Sequence, residues 1–312
     1  MKIAFFTEAG YTGKVSRSNA NMRTDMAWVC ALDATHHPLI TLPDIQSNLY
    51  DIGIIIVPKN KQYLFNMPVI EHMKRICSRI AFMQESTYWY WQGDSIESQV
   101  WYYTLLQHMD VILCHNDHDL LYYKGITNVP CELMPSLMIT DNCNISNDIK
   151  MGVMVGGNWV TAYRGIDSYI IGKVLSDDIY APTTGRMKPE ERQLDINHLP
   201  WIVWNEWIYE LSKRKYGVQL GTAAAGTFNL NCSYLGIPCI GYNNVNTQKY
   251  LHPNLSVADG DLYSARLLAD RLHEDEQFYM DCSNETLELY KLLYSEEVFI
   301  KKMYKIFNKI IK

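Results

Sequence analysis

Short apolar runs alternate along the chain with stretches in which apolar and charged residues mix at helical spacing. Ile3–Thr7 predicts a strand, Met22–Leu32 a helix, Asp51–Val57 a strand, Val69–Ser78 a helix and Arg79–Gln84 a strand. A helix over Ser95–Gln107, a strand over Val111–Cys114 and a short helix over Asp117–Tyr123 complete this series. The segment 141–148 is rich in Asn, Asp and Ser and reads as a linker. The alternation then restarts. Strands are predicted at Met151–Val155, Asp178–Ala181 and Gly217–Leu220, with helices at Gly165–Leu175, Trp204–Lys213 and Phe228–Leu235. Ile237–Gly241 enters another strand, and helices near Leu262–Leu272, Asn284–Leu293 and Glu296–Ile311 close the chain. Strands apolar on both faces, alternating with helices, imply parallel sheets covered on both sides. The expected fold is therefore α/β with two Rossmann-like domains, 1–145 and 146–312, the last helix being a candidate to pack back on the first domain. A cleft between them would receive the carboxyl ends of the strands, where such sheets bind ligands.

Length agrees with two domains, since 312 residues exceed what one core usually organises. A hydrophobic content of 48% and a charged content of 20% suit a soluble globular protein. The net charge of −6 argues against a chain coated for nucleic acid, although one basic face would suffice. The eight cysteines include no Cys-x-x-Cys pair, and most sit in apolar runs. They read as reduced, buried thiols of a cytoplasmic protein. The apolar start through Phe6 is too short for a signal peptide or a membrane span.

Candidate chemistry gathers at predicted strand ends. The strand ending at Val155 runs into Gly156, Gly157 and Asn158, then Arg164 and Gly165 at a helix start. Glycines let backbone N–H groups approach a phosphate, and an arginine adds charge-assisted hydrogen bonds. An ordinary glycine-containing turn with a surface arginine is the plainer reading. After Leu220 comes a loop of small residues with Thr222, Gly226 and Thr227, then a helix carrying Asn231, then Gly236, Pro238 and Gly241. Thr183 and Arg186, after the 178–181 strand, are candidates for a nucleotide-base pocket.

Glu85 follows a predicted parallel strand, where a carboxylate can take a proton from an attacking hydroxyl; Asp94 competes for that role. The aromatics Tyr88, Trp89, Tyr90 and Trp91 suit either sugar stacking or a core. His115, Asp117, His118 and Asp119 offer metal-ligating types. Helix capping by Asn116 or Asp117, with His115 facing the cleft, accounts for them more simply, and no metal is assigned. Lys301, Lys302, Lys305, Lys309 and Lys312 make the last helix basic, as a solvated face or as phosphate contacts.

The layout from Leu220 to Gly241 resembles the donor site of GT-B-fold glycosyltransferases. In these a small-residue loop faces the diphosphate, a helix follows, and Gly-x-Pro leads into the next strand. Many of them carry a ribose-holding glutamate where this sequence has Asn231. Glu85 and the series Gly156, Gly157, Arg164 and Gly165 are similar to features of bacteriophage DNA β-glucosyltransferases. The resemblance implies a hexosyl- or pentosyltransferase using a nucleotide sugar, UDP-sugar favoured, without a tightly bound metal. Glu85 would be the base, with His115 beside it. Gly156, Gly157, Asn158, Arg164, Gly165, Thr183, Arg186, Thr222, Gly226, Thr227 and Asn231 would line the donor site. It further implies double-stranded DNA bearing a hydroxymethylated pyrimidine as partner, and a monomer or weak oligomer without membrane association. Transfer to a protein, lipid or small molecule, or a non-catalytic nucleotide-binding module, are the alternatives. A nicotinamide-dependent dehydrogenase is disfavoured, because the turn after the first strand lacks Gly-x-Gly-x-x-Gly.

Overall fold

The computed structural model describes the chain except residues 8–10, 23–24, 40–48, 58–64, 157–165, 183–188, 222, 224 and 312. The described residues form two compact units. One comprises Met1–Asn19, Thr24–Pro135 and Glu296–Lys312; the other comprises Ala20–Arg23 and Ser136–Ser295.

The first unit contains β1 (Ile3–Thr7), α1 (Asp25–Ala31), β2 (Thr35–Pro38), β3 (Tyr50–Ile56), α2 (Met67–Ile76) and β4 (Cys77–Met83). It continues through α3 (Ile96–Gln107), β5 (Val111–Cys114), α4 (Asp117–Ile126) and β6 (Cys131–Leu133). The strands pair in parallel in the order β2-β1-β3-β4-β5-β6. Consecutive residues of β3 point to opposite faces, yet Ile54, Ile55 and the neighbouring Ile52 are all fully buried. Both faces of the sheet are therefore covered, as its apolar strands require. One core joins Phe6, Ile55, Phe82 and Ile112 of the strands to Met73, Leu105 and Tyr123 of the helices. Local chemistry sets the helix starts. Asn66 accepts from the Val69 N–H at 3.1 Å ahead of α2, and Ser95 accepts from the Ser98 N–H at 3.2 Å ahead of α3.

The second unit begins with β7 (Val153–Val155), α5 (Asp167–Leu175), β8 (Ile179–Pro182), β9 (Asn197–Leu199), α6 (Trp204–Ser212) and β10 (Tyr216–Gln219). Then come α7 (Thr227–Tyr234), β11 (Cys239–Tyr242), α8 (Asn246–Leu251), β12 (Ser256–Val257), α9 (Leu262–Glu274) and α10 (Glu276–Leu293). Its parallel order is β12-β11-β10-β7-β8-β9. Renumbered within the unit, this is the 3-2-1-4-5-6 order of a doubly wound dinucleotide-binding sheet. Its direction of winding reverses between β7 and β10. In the first sheet the reversal falls between β1 and β3.

The last helix, α11 (Glu296–Ile311), belongs to the first unit. Phe299, Met303 and Phe307 on one side of it are fully buried. Arg79 donates to the Ile310 carbonyl at 3.0 Å, Lys309 pairs with Glu132 at 2.8 Å, and Arg17 grips Glu296 with both terminal nitrogens. All eight cysteines are free thiols. Burial pushes Cys77 and Cys282 up to about 12 and Cys143 up to about 11, so they behave as packing groups. Among the described residues no helix is long and apolar enough to cross a membrane.

Candidate functional site

The reversal between β7 and β10 leaves a gap in helix cover at the carboxyl ends of those strands, which is where such sheets take ligands. Gly156 directly follows β7 there. Its N–H donates to the Val218 carbonyl at 2.9 Å, so the amide is used by the sheet. Its small size serves a different purpose: a Cβ on it would run into the ring of Phe228, the second residue of α7. Bare backbone past the strand end thus leaves room for the Phe228 ring of α7.

The start of α7 is set by Gly226, whose φ of 56° and ψ of 39° place it in the left-handed region. A Cβ on it would also collide with the Thr247 hydroxyl and with Val245. Thr247 donates to the Gly226 carbonyl at 2.9 Å, and Ser136 donates to the Ala225 carbonyl. The N-cap residue, Gly226, has no side chain to cap α7, so the N–H groups of its first turn are left to other acceptors. Thr227 is half-buried at its first position.

A buried polar network holds α7 from behind. Asn229 donates to Gln248 Oε1 at 2.7 Å, and Gln248 donates to the carbonyls of Cys239 at 2.8 Å and Leu255 at 3.1 Å. His252 Nε2 donates to the Asn229 carbonyl at 3.0 Å and is held neutral, its pKa pushed down to about 4 by burial against the smaller opposing effect of that bond. Ser168 closes the other side, accepting from the Leu220 N–H at 2.9 Å.

Asn231 is placed in the interior, 2% exposed. Its Oδ1 accepts from Trp207 Nε1 at 3.0 Å and its Nδ2 lies 3.6 Å from the Met138 sulfur. It packs α7 against α6, where the sequence suggested a ribose contact. Gly157, Asn158, Arg164, Gly165, Thr183, Arg186 and Thr222 lie outside the described residues.

In the first unit the carboxyl ends carry side chains instead. Glu85 is exposed, two residues past the end of β4. The segment after it is pinned by Asp119, whose Oδ1 accepts from the Tyr88 N–H at 3.1 Å and whose Oδ2 accepts from Asn116 Nδ2 at 2.9 Å. Burial raises the Asp119 pKa, while these hydrogen bonds pull it back down. The sequence suggested Asn116 as a side-chain cap of α4; its side chain turns to Asp119 and makes no cap bond. Asp119 is thus a positioning group that residue types alone did not reveal. An acid in the first helical turn, close to a strand-end segment, was the available signal.

His115, expected to face a cleft, is turned inward with 4% exposure. It stacks on Trp28 with centroids 5.5 Å apart, and its Nε2 donates to the Gln84 carbonyl at 3.1 Å. The Gln84 side chain accepts from the His115 N–H at 3.3 Å, so the pair ties the ends of β4 and β5 together. Burial pushes the imidazole down to about 4, the opposing backbone hydrogen bonds notwithstanding. At neutral pH it is an uncharged brace. His118 is separate, its Nε2 3.3 Å from the Tyr88 hydroxyl. Among the described residues no group of His, Cys, Asp and Glu has the arrangement of a metal site.

The aromatics after Glu85 divide. Trp91 is buried and stacked on Tyr102 at 4.7 Å, as core, and Tyr88 leans on Tyr122 at 4.6 Å. A second strand-end cluster was not read from the sequence. At the end of β1, Thr7 lies 2.7 Å from His36 Nε2, and His36 Nδ1 donates to the Tyr11 carbonyl at 2.7 Å. The Tyr11 ring stacks on the imidazole at 3.8 Å. Because a carbonyl only accepts, Nδ1 carries the proton and Nε2 accepts from Thr7. Burial lowers the His36 pKa against the raising effects of that carbonyl and of Asp25.

No family model matches the sequence, and no curated protein does. Solved structures do. Sucrose-phosphate synthase from Thermosynechococcus elongatus superimposes with a TM-score of 0.69 at 10% identity, over 99% of both chains. HepE from Anabaena, in complex with UDP-glucose, gives 0.71 at 8% identity over 99% of this chain and 100% of its own. A mutant of TarM from S. aureus, in complex with fondaparinux, alpha-GlcNAc-glycerol and UDP, gives 0.60 at 10% identity. It is covered over 55% of its length by 82% of this chain. These likenesses establish the fold as the GT-B arrangement of two Rossmann-like units.

Proposed function

We propose that the protein is a glycosyltransferase that moves a sugar, hexosyl or pentosyl, from a nucleotide-sugar donor, UDP-sugar favoured, to a hydroxyl acceptor. One observation carries this reading. The winding of the second sheet reverses between β7, which leads into Gly156, and β10, which leads into the turn before α7, and Gly226 in a left-handed conformation opens that helix. Uncapped amides at a helix start suit a diphosphate. The proposed donor contacts are the first turn of α7 with Gly226 and Thr227, and the residues Gly157, Asn158, Arg164, Gly165 and Thr222. Thr183 and Arg186 serve the base. Solved structures of the same fold that hold UDP or UDP-glucose support the choice of donor.

In the reaction the bond from the anomeric carbon to the diphosphate oxygen breaks, and a bond from that carbon to the acceptor oxygen forms. Glu85 takes the acceptor proton, and amides with Arg164 stabilise the charge developing on the leaving diphosphate. The brace made by Gln84, His115 and Asp119 keeps the segment bearing Glu85 in place. The acceptor that the sequence resemblance suggests is a hydroxymethylated pyrimidine in double-stranded DNA.

Incubation of the purified protein with UDP-glucose and duplex DNA, with or without hydroxymethylcytosine, tests this reading. We expect UDP release that depends on the modified base. Glu85→Gln should lower transfer about 10²–10⁴-fold while leaving UDP-glucose affinity within twofold, roughly experimental scatter. A wild-type protein that binds no sugar nucleotide overturns the reading. Binding without transfer to any hydroxyl acceptor leaves a nucleotide-binding module.

A further inference from the structure

At the outer edge of the first sheet lies a hollow of about 360 Å³. β6 forms its floor, α4 one wall and α11 the other. Four lysines line it: Lys124 from α4, and Lys302, Lys305 and Lys309 from α11. The acid among the lining residues is Glu132, which pairs with Lys309 at 2.8 Å. A chain with net charge −6 thus gathers four ammonium groups around one concavity, where Glu132 is the one carboxylate among the lining residues.

Helix geometry explains the row. Positions 302, 305 and 309 follow a three-then-four spacing, which places them on one face of α11. Phe299, Met303 and Phe307 hold the adjoining face in the core, so the row cannot rotate away. At 1.5 Å per residue the row is about 10 Å long. One strand of a duplex carries about three phosphates over that length, at roughly 3.4 Å per phosphate. Lysines in a last helical turn can be explained by the helix dipole, and Lys124 and Lys309 occupy such turns. Lys302 and Lys305 do not, and no dipole argument covers them.

We propose that this hollow binds phosphate oxyanions presented in a row, as in an inorganic polyphosphate or a phosphodiester backbone. The inference stands apart from the transferase reading, because it uses neither Glu85 nor the turn before α7. Its role would be to anchor a polyanion on the first unit.

The test is calorimetric titration of the full chain with sodium tripolyphosphate, and separately with a short duplex oligonucleotide, over a series of NaCl concentrations. The variant Lys302→Gln/Lys305→Gln keeps the Lys309–Glu132 pair, and Lys291→Gln/Lys301→Gln is the charge-matched control. We expect at least one probe to bind wild type. For the duplex, the slope of log K against log salt should fall by about 1 for each lysine removed, with the control unchanged. Stronger binding of tripolyphosphate would identify a free polyphosphate as the source, and stronger binding of the duplex a phosphodiester backbone. Should the double variant not fold, Lys124→Gln on the opposite wall provides the same comparison. Failure of wild type to bind either probe overturns the proposal, as does equal binding by wild type and the hollow variant. UDP-glucose affinity should be the same in every variant, which separates failure here from failure of the donor site.

Discussion

The two sheets end in different materials. Where the second sheet reverses its winding, the strand ends and the turn before α7 offer backbone: Gly156 yields to the Phe228 ring, Gly226 takes a left-handed conformation, and α7 starts without a side-chain cap. The carboxyl ends of the first sheet offer side chains: Thr7, His36, Gln84, Glu85 and His115. Amide dipoles are fixed, uncharged and insensitive to pH, which suits holding an anion. The buried imidazoles His36 and His115 act there as uncharged braces, and the exposed Glu85 carboxylate is the group placed to exchange a proton. Under the proposed function, the same architecture would supply a rigid grip in one unit and proton handling in the other.

The comparison breaks most sharply at Gly226. Gly226→Val requires a β-branched residue at positive φ and drives its side chain into Thr247 and Val245. We expect loss of measurable UDP-glucose binding in a fluorescence or calorimetric titration, with destabilisation of about 2–4 kcal/mol in urea unfolding. Next is Asp119→Ala, which frees the Tyr88 N–H and so the segment after Glu85. Transfer should fall about 10–100-fold from misplacement with donor affinity unchanged; an equal loss of affinity would show that the two units do not divide their labour. Asn231→Ala comes third. It should cost about 1–3 kcal/mol by stranding the Trp207 N–H and leave UDP-glucose affinity intact, whereas a ribose contact would show as weaker binding.

The smallest effect is one of pH. His115 in the first unit and His252 in the second both have pKa values pushed down to about 4 by burial, below the ordinary 6.5. The unfolded chain therefore binds protons first as pH falls. Stability is full above the unfolded value, declines as pH drops from about 6.5 toward 4, and is flat with respect to these groups below that. Between pH 7 and pH 6 each imidazole should account for about 0.7 kcal/mol. Urea unfolding of His115→Asn and His252→Asn at both pH values should show a shallower loss for each variant than for wild type.

The central strands were legible because burial on both faces leaves an unbroken apolar run, as in Ile3–Thr7 and Val111–Cys114. The strands β2, β6, β9 and β12 were not. Each lies at a sheet edge, is at most four residues long, and includes polar residues such as His36, Glu132, Asn197 and Ser256. An edge strand is specified by its single neighbour more than by its own composition. The small helix α8 was hidden for a similar reason: Asn246, Thr247 and Gln248 are buried as hydrogen-bonding groups, which no hydrophobic period reports. At the candidate site, chain position was readable and orientation was not. Glu85 falls just past a strand, as its sequence context implies. The inward turn of His115 and the burial of Asn231 depend on Trp28, Gln84, Trp207 and Met138, which are distant in sequence.

The position of α11 bears on how the chain is made. Residues 296–312 cover part of a unit whose other elements are synthesised before residue 136. During translation the first sheet emerges early but lacks the cover that Phe299, Met303 and Phe307 provide until residues 296–311 have also been made. The second unit, almost continuous in sequence, can close in the meantime. Its completion therefore precedes that of the unit begun first, and a nascent chain stalled near residue 295 should expose an apolar surface that attracts chaperones.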